Sequence, residues 1–367
     1  MELINSTRMV AGYTMGMDPD GREYLVVVVK GTFDIPTDGS EPKLSDQQIP
    51  LIAADTFTGE PGFSSPVYES DYCLTKPNCD VLLIGSAYTA NGRPAPYTRV
   101  GMKLGPISKT IDVIGDRTWS GRGGAPSEPI PFTVMPITYD RAFGGVDDSN
   151  PDKAKAFNLN PVGMGFRPLL KKDELQNQAV PNTQESGKPV MNPKGNYQPM
   201  SFGPIGRSWP PRLGYAGTYD DAWLDDNFPF LPPDFDTRYY QAAPVDQQMP
   251  YPRGGEQVTL VNLTPDGRRS FNLPVIDVPV VFFHTKGERH QTTGVIDTIV
   301  IEPEKNILTL TWRANLQLKK NIFEIPQVLT GKMSRGWWRA RETGKTYYPS
   351  LAQLIEANKA ETGEEVS

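Results

Sequence analysis

The chain has 367 residues, a net charge of −6, 34 glycines and 36 prolines. That length suits two or three domains, or one large β domain with elaborations, and a glycine-plus-proline share well above the usual roughly 12% marks a loop-rich globular protein. The acidic balance excludes a general nucleic-acid or anionic-membrane surface, since both demand clustered Lys and Arg. The start of the chain, Met1 to Asn5, carries neither a basic nor an apolar leader, and no run approaches about 18 apolar residues. The cytoplasm is the expected location, and no membrane or nucleic-acid partner is expected.

In chain order, residues 24–29 form a continuous apolar, β-branched run of the kind found in strands buried on both faces. Residues 81–84 repeat the pattern, Asn91 and Gly92 give a hairpin-type turn signal, and residues 99–104 and 110–114 continue an antiparallel series. From about 140 to 250 the character changes to Pro, Gly, Asn, Asp and aromatics, with few strand-length apolar runs. The aromatics there, among them Phe143, Phe166, Tyr219 and Trp223, predict ordered loops, because disordered segments are poor in such residues. Strands resume at 257–263, 271–275 and 278–283 around an Asp266-Gly267 turn, and at 294–301 and 307–316 around residues 303–306. Near the end, Ser350 with Gln353 reads as a capping box, and Leu351, Leu354 and Ile355 share one helical face. The expected fold is mainly β: two β-sandwich-like units, a long ordered loop region and a short C-terminal helix. The corresponding boundaries are 1–140 for the first β unit, 141–250 for the loops packed on the β units, 251–320 for the second β unit and 321–367 for a C-terminal extension.

Candidate chemistry is sparse. Gly121, Arg122, Gly123 and Gly124 lack the following Gly-Lys-Ser/Thr of a phosphate loop and read as a surface loop. The carboxylates Asp220, Asp221, Asp225, Asp226, Asp234 and Asp236 allow a glycosidase-type pair or oxygen ligands for calcium, but their setting among Gly, Pro and aromatics favours Asx turns. Cys73 and Cys79 are expected as free thiols, since a reducing compartment disfavours disulfides and no His or further Cys stands nearby for a metal. His284 and His290 are the only histidines. With no nucleophile elbow and no zinc motif, the expectation is a binding protein with no catalytic residues, cofactor or metal.

The order of short motifs carries more. Glu69-Ser70-Asp71, Lys76-Pro77, Asp80-Val81, Gly115-Asp116-Arg117 with Trp119, Met135-Pro136 with Tyr139, and Arg141 to Gly145 open the series. Asn160-Pro161 with Gly163, Gly165 and Phe166 follows, then Pro181-Asn182 with Glu185, Gly217 to Asp220 with Trp223, and Leu231-Pro232 with Asp234 to Asp236. Ala243-Pro244 with Asp246, Gln247 and Gln248, then Gly255-Glu256 and Asp297-Thr298, complete it. Together these resemble domain-of-unknown-function family 2169 over roughly residues 5–315. The resemblance implies an adaptor or chaperone of bacterial type VI secretion, one that binds an effector toxin carrying or associated with a PAAR-type tip and helps load it onto the VgrG spike. It supplies no catalytic residues. The alternative class is a carbohydrate-binding or carbohydrate-active β-sandwich protein.

Two residue sets are singled out. Phe143, Phe166, Tyr219, Trp223, Trp337 and Trp338 are candidates for partner contact, since rigid rings bury area at low entropic cost. Arg141 to Gly145 lies where a strand leaves the core and has two readings, Arg141 anchoring loop carbonyls or carboxylates, or a partner site with Phe143 as an apolar plug. Asp71, Asp116, Arg117, Arg141, Gly144, Gly145, Asn182, Asp220, Asp246 and Gln247 are expected to hold a loop lattice. A buried, paired Arg117 or Arg141 would cost on the order of 3–5 kcal/mol to remove.

Overall fold

The computed structural model describes the chain except residues 121–123, 172, 349, 351 and 356–367. Three residues of the glycine-rich stretch, Leu351 of the terminal helical face and the acidic tail therefore lie outside the described residues. The main strands are β1 (Glu2–Asn5), β2 (Val10–Met17), β3 (Glu23–Asp34), β4 (Cys79–Leu83), β5 (Tyr97–Leu104), β6 (Ile107–Ile114), β7 (Thr183–Glu185) and β8 (Gln248–Met249). They continue with β9 (Gln257–Val261), β10 (Arg268–Asn272), β11 (Pro279–Phe283), β12 (Arg289–Thr293), β13 (Val295–Glu302), β14 (Ile307–Gln317) and β15 (Gln327–Thr330). The protein is mainly β, as the sequence predicts.

These strands build three sheets. A seven-stranded sheet runs β8-β4-β13-β14-β3-β2, with Lys43–Leu44 added against β3; a five-stranded sheet runs β7-β6-β5-β9-β10; a four-stranded sheet runs β1-β15-β11-β12. Strands β3 and β14 pair antiparallel along almost their full length, from Ile307 opposite Asp34 to Gln317 opposite Tyr24. Their lengths let the same ribbon serve two cores. One end sends Val29, Phe33, Leu308, Leu310 and Trp312 against Val100, Met102, Ile111, Val258 and Leu260 of the five-stranded sheet. The other end packs Leu25, Val27 and Ala314 on Val280, Phe282 and Val328 of the four-stranded sheet.

Two sandwich-like packings thus exist, but they do not follow the expected boundaries. Residues 1–140 and 251–320 contribute to the same sheets: β3 pairs with β14, and β5 pairs with β9, Val258 standing opposite Leu104. The first compact unit is Met1–Thr330 and the second Gly331–Ser367. The physical reason is strand geometry. A long apolar strand such as β3 is buried on both faces only in the middle of a sheet, and its neighbours come from the far end of the chain.

The segment 141–250 is largely irregular but gathers Phe143, Phe157, Leu175, Val180 and Val190 into a small core with Trp119 from outside it. Its two short helices are α1 (Pro210–Leu213) and α2 (Asp221–Asp226). In the C-terminal unit, α3 (Arg335–Glu342) starts at Ser334, whose hydroxyl accepts the Trp337 N–H at 3.2 Å. Residues 352–355 are helical as well, with Ser350 accepting the Gln353 N–H at 3.3 Å, the expected cap.

Candidate functional site

The lattice residues lock loops to sheets. Asn182 is buried, donates to Ile114 O at 3.1 Å and to Asp116 Oδ1 at 2.8 Å, and accepts from Arg141 at 2.9 Å. Arg141 also stands 3.6 Å from Asp116. Arg117 donates to Pro181 O at 3.0 Å and has no carboxylate partner among the described residues, so its tie to the loop is through a carbonyl. Gly144 and Gly145 have positive φ, and a Cβ there would sit 2.1 Å from Asn160 O and 2.4 Å from Gly163 O. No other residue allows that approach. Gln247 is fully buried and donates to Val81 O and Phe202 O at 2.7 and 2.9 Å, while Lys109 donates to Gln247 and Asp246 at 2.7 and 3.1 Å. Asp71 accepts from Lys30 at 2.9 Å and from the Ile52 N–H at 2.7 Å.

The aromatic candidates separate into three places. Phe143 is not on the surface. It is fully buried, with Tyr197, Phe157 and Phe166 at ring-centroid distances of 4.9, 5.0 and 6.2 Å, so its ring is spent on the loop core. This removes it from the partner-contact set, and half-buried Phe166 belongs to the same cluster. Trp337 and Trp338 meet edge to face at 4.9 Å within the C-terminal unit. Tyr219 and Trp223 stand together at 4.8 Å, on a loop the structure presents outward.

That loop is built locally. Asp220 caps α2 by accepting the Trp223 N–H at 2.9 Å, and the Trp223 indole N–H donates to Phe230 O at 3.0 Å, closing the chain back on itself. Phe228 packs edge-on against Trp223 at 5.8 Å. Asp234 accepts the Thr218 N–H and hydroxyl at 2.9 and 2.8 Å, and Asp236 takes the Arg238 guanidinium at 2.6 Å. The hydrogen bonds from Thr218 hold the Asp234 carboxyl below the usual carboxylate range, and Arg238 does the same for Asp236. Trp223 thus acts as a half-buried keystone. Around it Tyr219, Leu224, Phe228 and Phe230 are 54, 55, 63 and 43% exposed.

Carboxylates predominate on this surface, with Arg238 on Asp236 at its edge. Residues 213–237 contain Asp220, Asp221, Asp225, Asp226, Asp234 and Asp236 and no Lys, Arg or His. Exposed apolar side chains gathered in one patch differ from the scattered single ones that need no explanation. Leu224 is an exposed apolar member of this patch that the sequence reading did not single out. Its spacing one residue after Trp223 on a helix whose inner face is used by the tryptophan was the available signal.

Also unforeseen is a set of buried ion pairs on the outer face of the seven-stranded sheet. Lys76 pairs with Asp80 at 2.8 Å, Arg313 with Asp297, and Arg313 further donates to Asp71 O and Cys73 O at 2.9 and 3.1 Å. Alternation in β14, where Thr309, Thr311 and Arg313 interleave with Leu308, Leu310 and Trp312, announces a polar second face. Cys73 and Cys79 are free and buried, and burial pushes both thiols up. No group of three or more His, Cys, Asp or Glu placed to hold a metal occurs among the described residues. No helix among them is long and apolar enough to cross a membrane.

Neither a curated protein nor a solved structure matches this chain. The family model described as an uncharacterized protein conserved in bacteria, DUF2169, matches residues 20–313, a span that runs from β3 into β14 and takes in the five-stranded sheet and the loop lattice, with β1, β2 and β15 outside it. The chain belongs to the DUF2169 family.

Proposed function

We propose that this protein is a cytoplasmic adaptor that binds a type VI secretion effector, PAAR-bearing or PAAR-associated, and promotes its loading onto the VgrG spike, without catalysing a reaction. The observation that carries the reading is the acidic aromatic loop 213–237, which holds six Asp in the same segment as exposed Tyr219, Leu224, Phe228 and Phe230. Such a surface fits a partner patch that is apolar at its centre and basic at its edge. Aromatic anchors supply most of the binding energy, and surrounding charge sets approach and orientation. The secretion context rests on what the resemblance carried by the motif series implies.

The test is co-expression of the full chain with the effector and spike proteins encoded beside it, followed by affinity capture. A stable complex is expected, and Phe228→Ala or Leu224→Arg should weaken it at least tenfold with the melting temperature unchanged. Replacing Asp221, Asp225 and Asp226 by Lys should slow association and remove its dependence on salt. Failure to capture either protein, together with saturable binding to a glycan, would overturn the reading in favour of a carbohydrate-binding protein.

A further inference from the structure

Each of the three large sheets has two edges, and five of those six strands are guarded. Open edges are normally kept short or broken by charge, proline or a bulge, because their free N–H and C=O groups recruit other strands. β7 and β8 have three and two residues and β1 has four; β10 carries Arg268 and Arg269, and β12 carries Arg289 and His290. β2 is the exception. It runs for eight residues without a charge or a proline, and it keeps unbroken register with β3 from Val10 opposite Lys30 to Met17 opposite Glu23. The turn fixes which backbone groups look outward. Asp18 donates its N–H to Arg22 O at 3.1 Å, so the even-numbered residues of β2 are the ones hydrogen-bonded to β3; on the far side of β3, Glu23 O accepts from Leu318, which gives the same phase. The N–H and C=O groups of Ala11, Tyr13, Met15 and Met17 therefore point away from the sheet. No strand meets them, and the one bond they make among the described residues is a 3.4 Å contact from the adjoining Thr14 hydroxyl to Met15 O. The row stops at Met9, whose carbonyl takes Asn5 Nδ2 at 2.7 Å and whose N–H goes to Thr7 Oγ1 at 3.1 Å.

We propose that this edge pairs with the same edge of a second copy, β2 on β2, antiparallel about a two-fold axis at Thr14. Reversed on itself, the outward row coincides only about that residue: Ala11 meets Met17, Tyr13 meets Met15, and every outward N–H and C=O of the row finds a partner. A register centred on Tyr13 sets Met17 against Met9, whose groups are already taken, and one centred on Met15 sets Arg8 against Arg22. About Thr14, Arg8 instead faces Asp20 of the second copy; both are exposed, and within one chain they hold only the surface partners Asp46 at 3.5 Å and Arg22 at 3.1 Å. The side chains match as well. Tyr13 and Met15, 41 and 40% exposed, cover each other ring against thioether, and Thr14 lies against Thr14. A Cβ on Gly21 in the β2–β3 turn would meet the Phe230 ring at 3.1 Å, so the dimer carries one loop 213–237 at each end of the shared strand pair. The pairing itself does not rest on the adaptor reading.

The experiment is sedimentation velocity of the full chain in reducing buffer, from micromolar to hundreds of micromolar. One strand pair is a small interface of the transient class, so a reversible monomer–dimer equilibrium with no larger species is expected. Tyr13→Lys combined with Met15→Lys sets like charges opposite each other at exposed positions, and it should weaken association at least tenfold with an unchanged melting temperature. Arg8→Asp should weaken it about threefold, and adding Asp20→Arg should restore it. Thr14→Cys reads the register. The Thr14 pair is a non-hydrogen-bonded one with Cα atoms about 4.5 Å apart, within disulfide reach, so mild oxidation should crosslink most of this variant and little of Tyr13→Cys. Cys73 and Cys79 are buried and do not compete. A wild type that stays monomeric throughout, association untouched by the double lysine variant, or faster crosslinking of Tyr13→Cys than of Thr14→Cys would each overturn the proposal.

Discussion

Asn182 spans three partners with one amide, and at the scale of single residues such junctions decide what a substitution costs. Arg141 is part of that junction but a third of its side chain remains exposed, so water can replace some of what is lost. Arg141→Ala should therefore cost about 1–3 kcal/mol, the range for leaving hydrogen-bond partners unsatisfied, and less than the 3–5 kcal/mol of a broken buried ion pair. Arg313→Ala strands buried Asp297 and should reach that higher range; denaturant titration of both variants checks the order. Acid behaviour follows Asp112. Burial alone would raise its carboxyl, but hydrogen bonds from Arg99, Ser186, Gly187 and Tyr97 outweigh burial and hold it below its ordinary value. A depressed carboxyl stabilises the fold above the unfolded value, about 3.9, and that support is lost as pH falls through the folded value. Asp112→Asn should thus lower the melting temperature at neutral pH and flatten its decline below about pH 4. A wild-type acid profile in that variant would show that other carboxylates set it.

Among the elements, the long central strands were legible and the short peripheral ones were not. A run such as Val26 to Val29 has only one sensible home, the middle of a covered sheet, and it occupies that place. β2 mixes Gly12, Tyr13, Thr14, Met15 and Gly16, a pattern that becomes a strand only because β3 offers it a full ladder. β1 and β15 pair in parallel across the length of the unit, which no local signal could announce. The fate of the aromatics was equally hidden: Phe143 and Phe228 both sit among Gly, Pro and Asp, yet one is buried and the other 63% exposed, because tertiary contacts and not neighbours decide. Two substitutions test the element-level account. Trp312→Ala opens the shared core of β14 and should cost about 3–5 kcal/mol. Asp220→Ala removes the α2 cap at about 1 kcal/mol, felt locally, so hydrogen exchange should quicken at residues 221–228 with little change in global melting.

For the whole molecule, the interleaving of early and late strands sets what can exist alone. A fragment of residues 1–140 lacks the β14 partner of β3 and the β9 partner of β5, and it should be insoluble or unfolded by circular dichroism. Residues 1–330, as one compact unit, should fold without the rest and retain a cooperative melt. The same pairing has a consequence for biosynthesis. Tyr24 meets Gln317, so the apolar ribbon of β3 emerges from the ribosome long before the strand that covers it has been translated. For that interval the nascent chain carries an unpaired, β-branched edge, the type of segment that seeks other copies of itself. Closure over such a sequence separation is slow, so the yield of native protein should hinge on temperature and on the rate of translation more than on final stability.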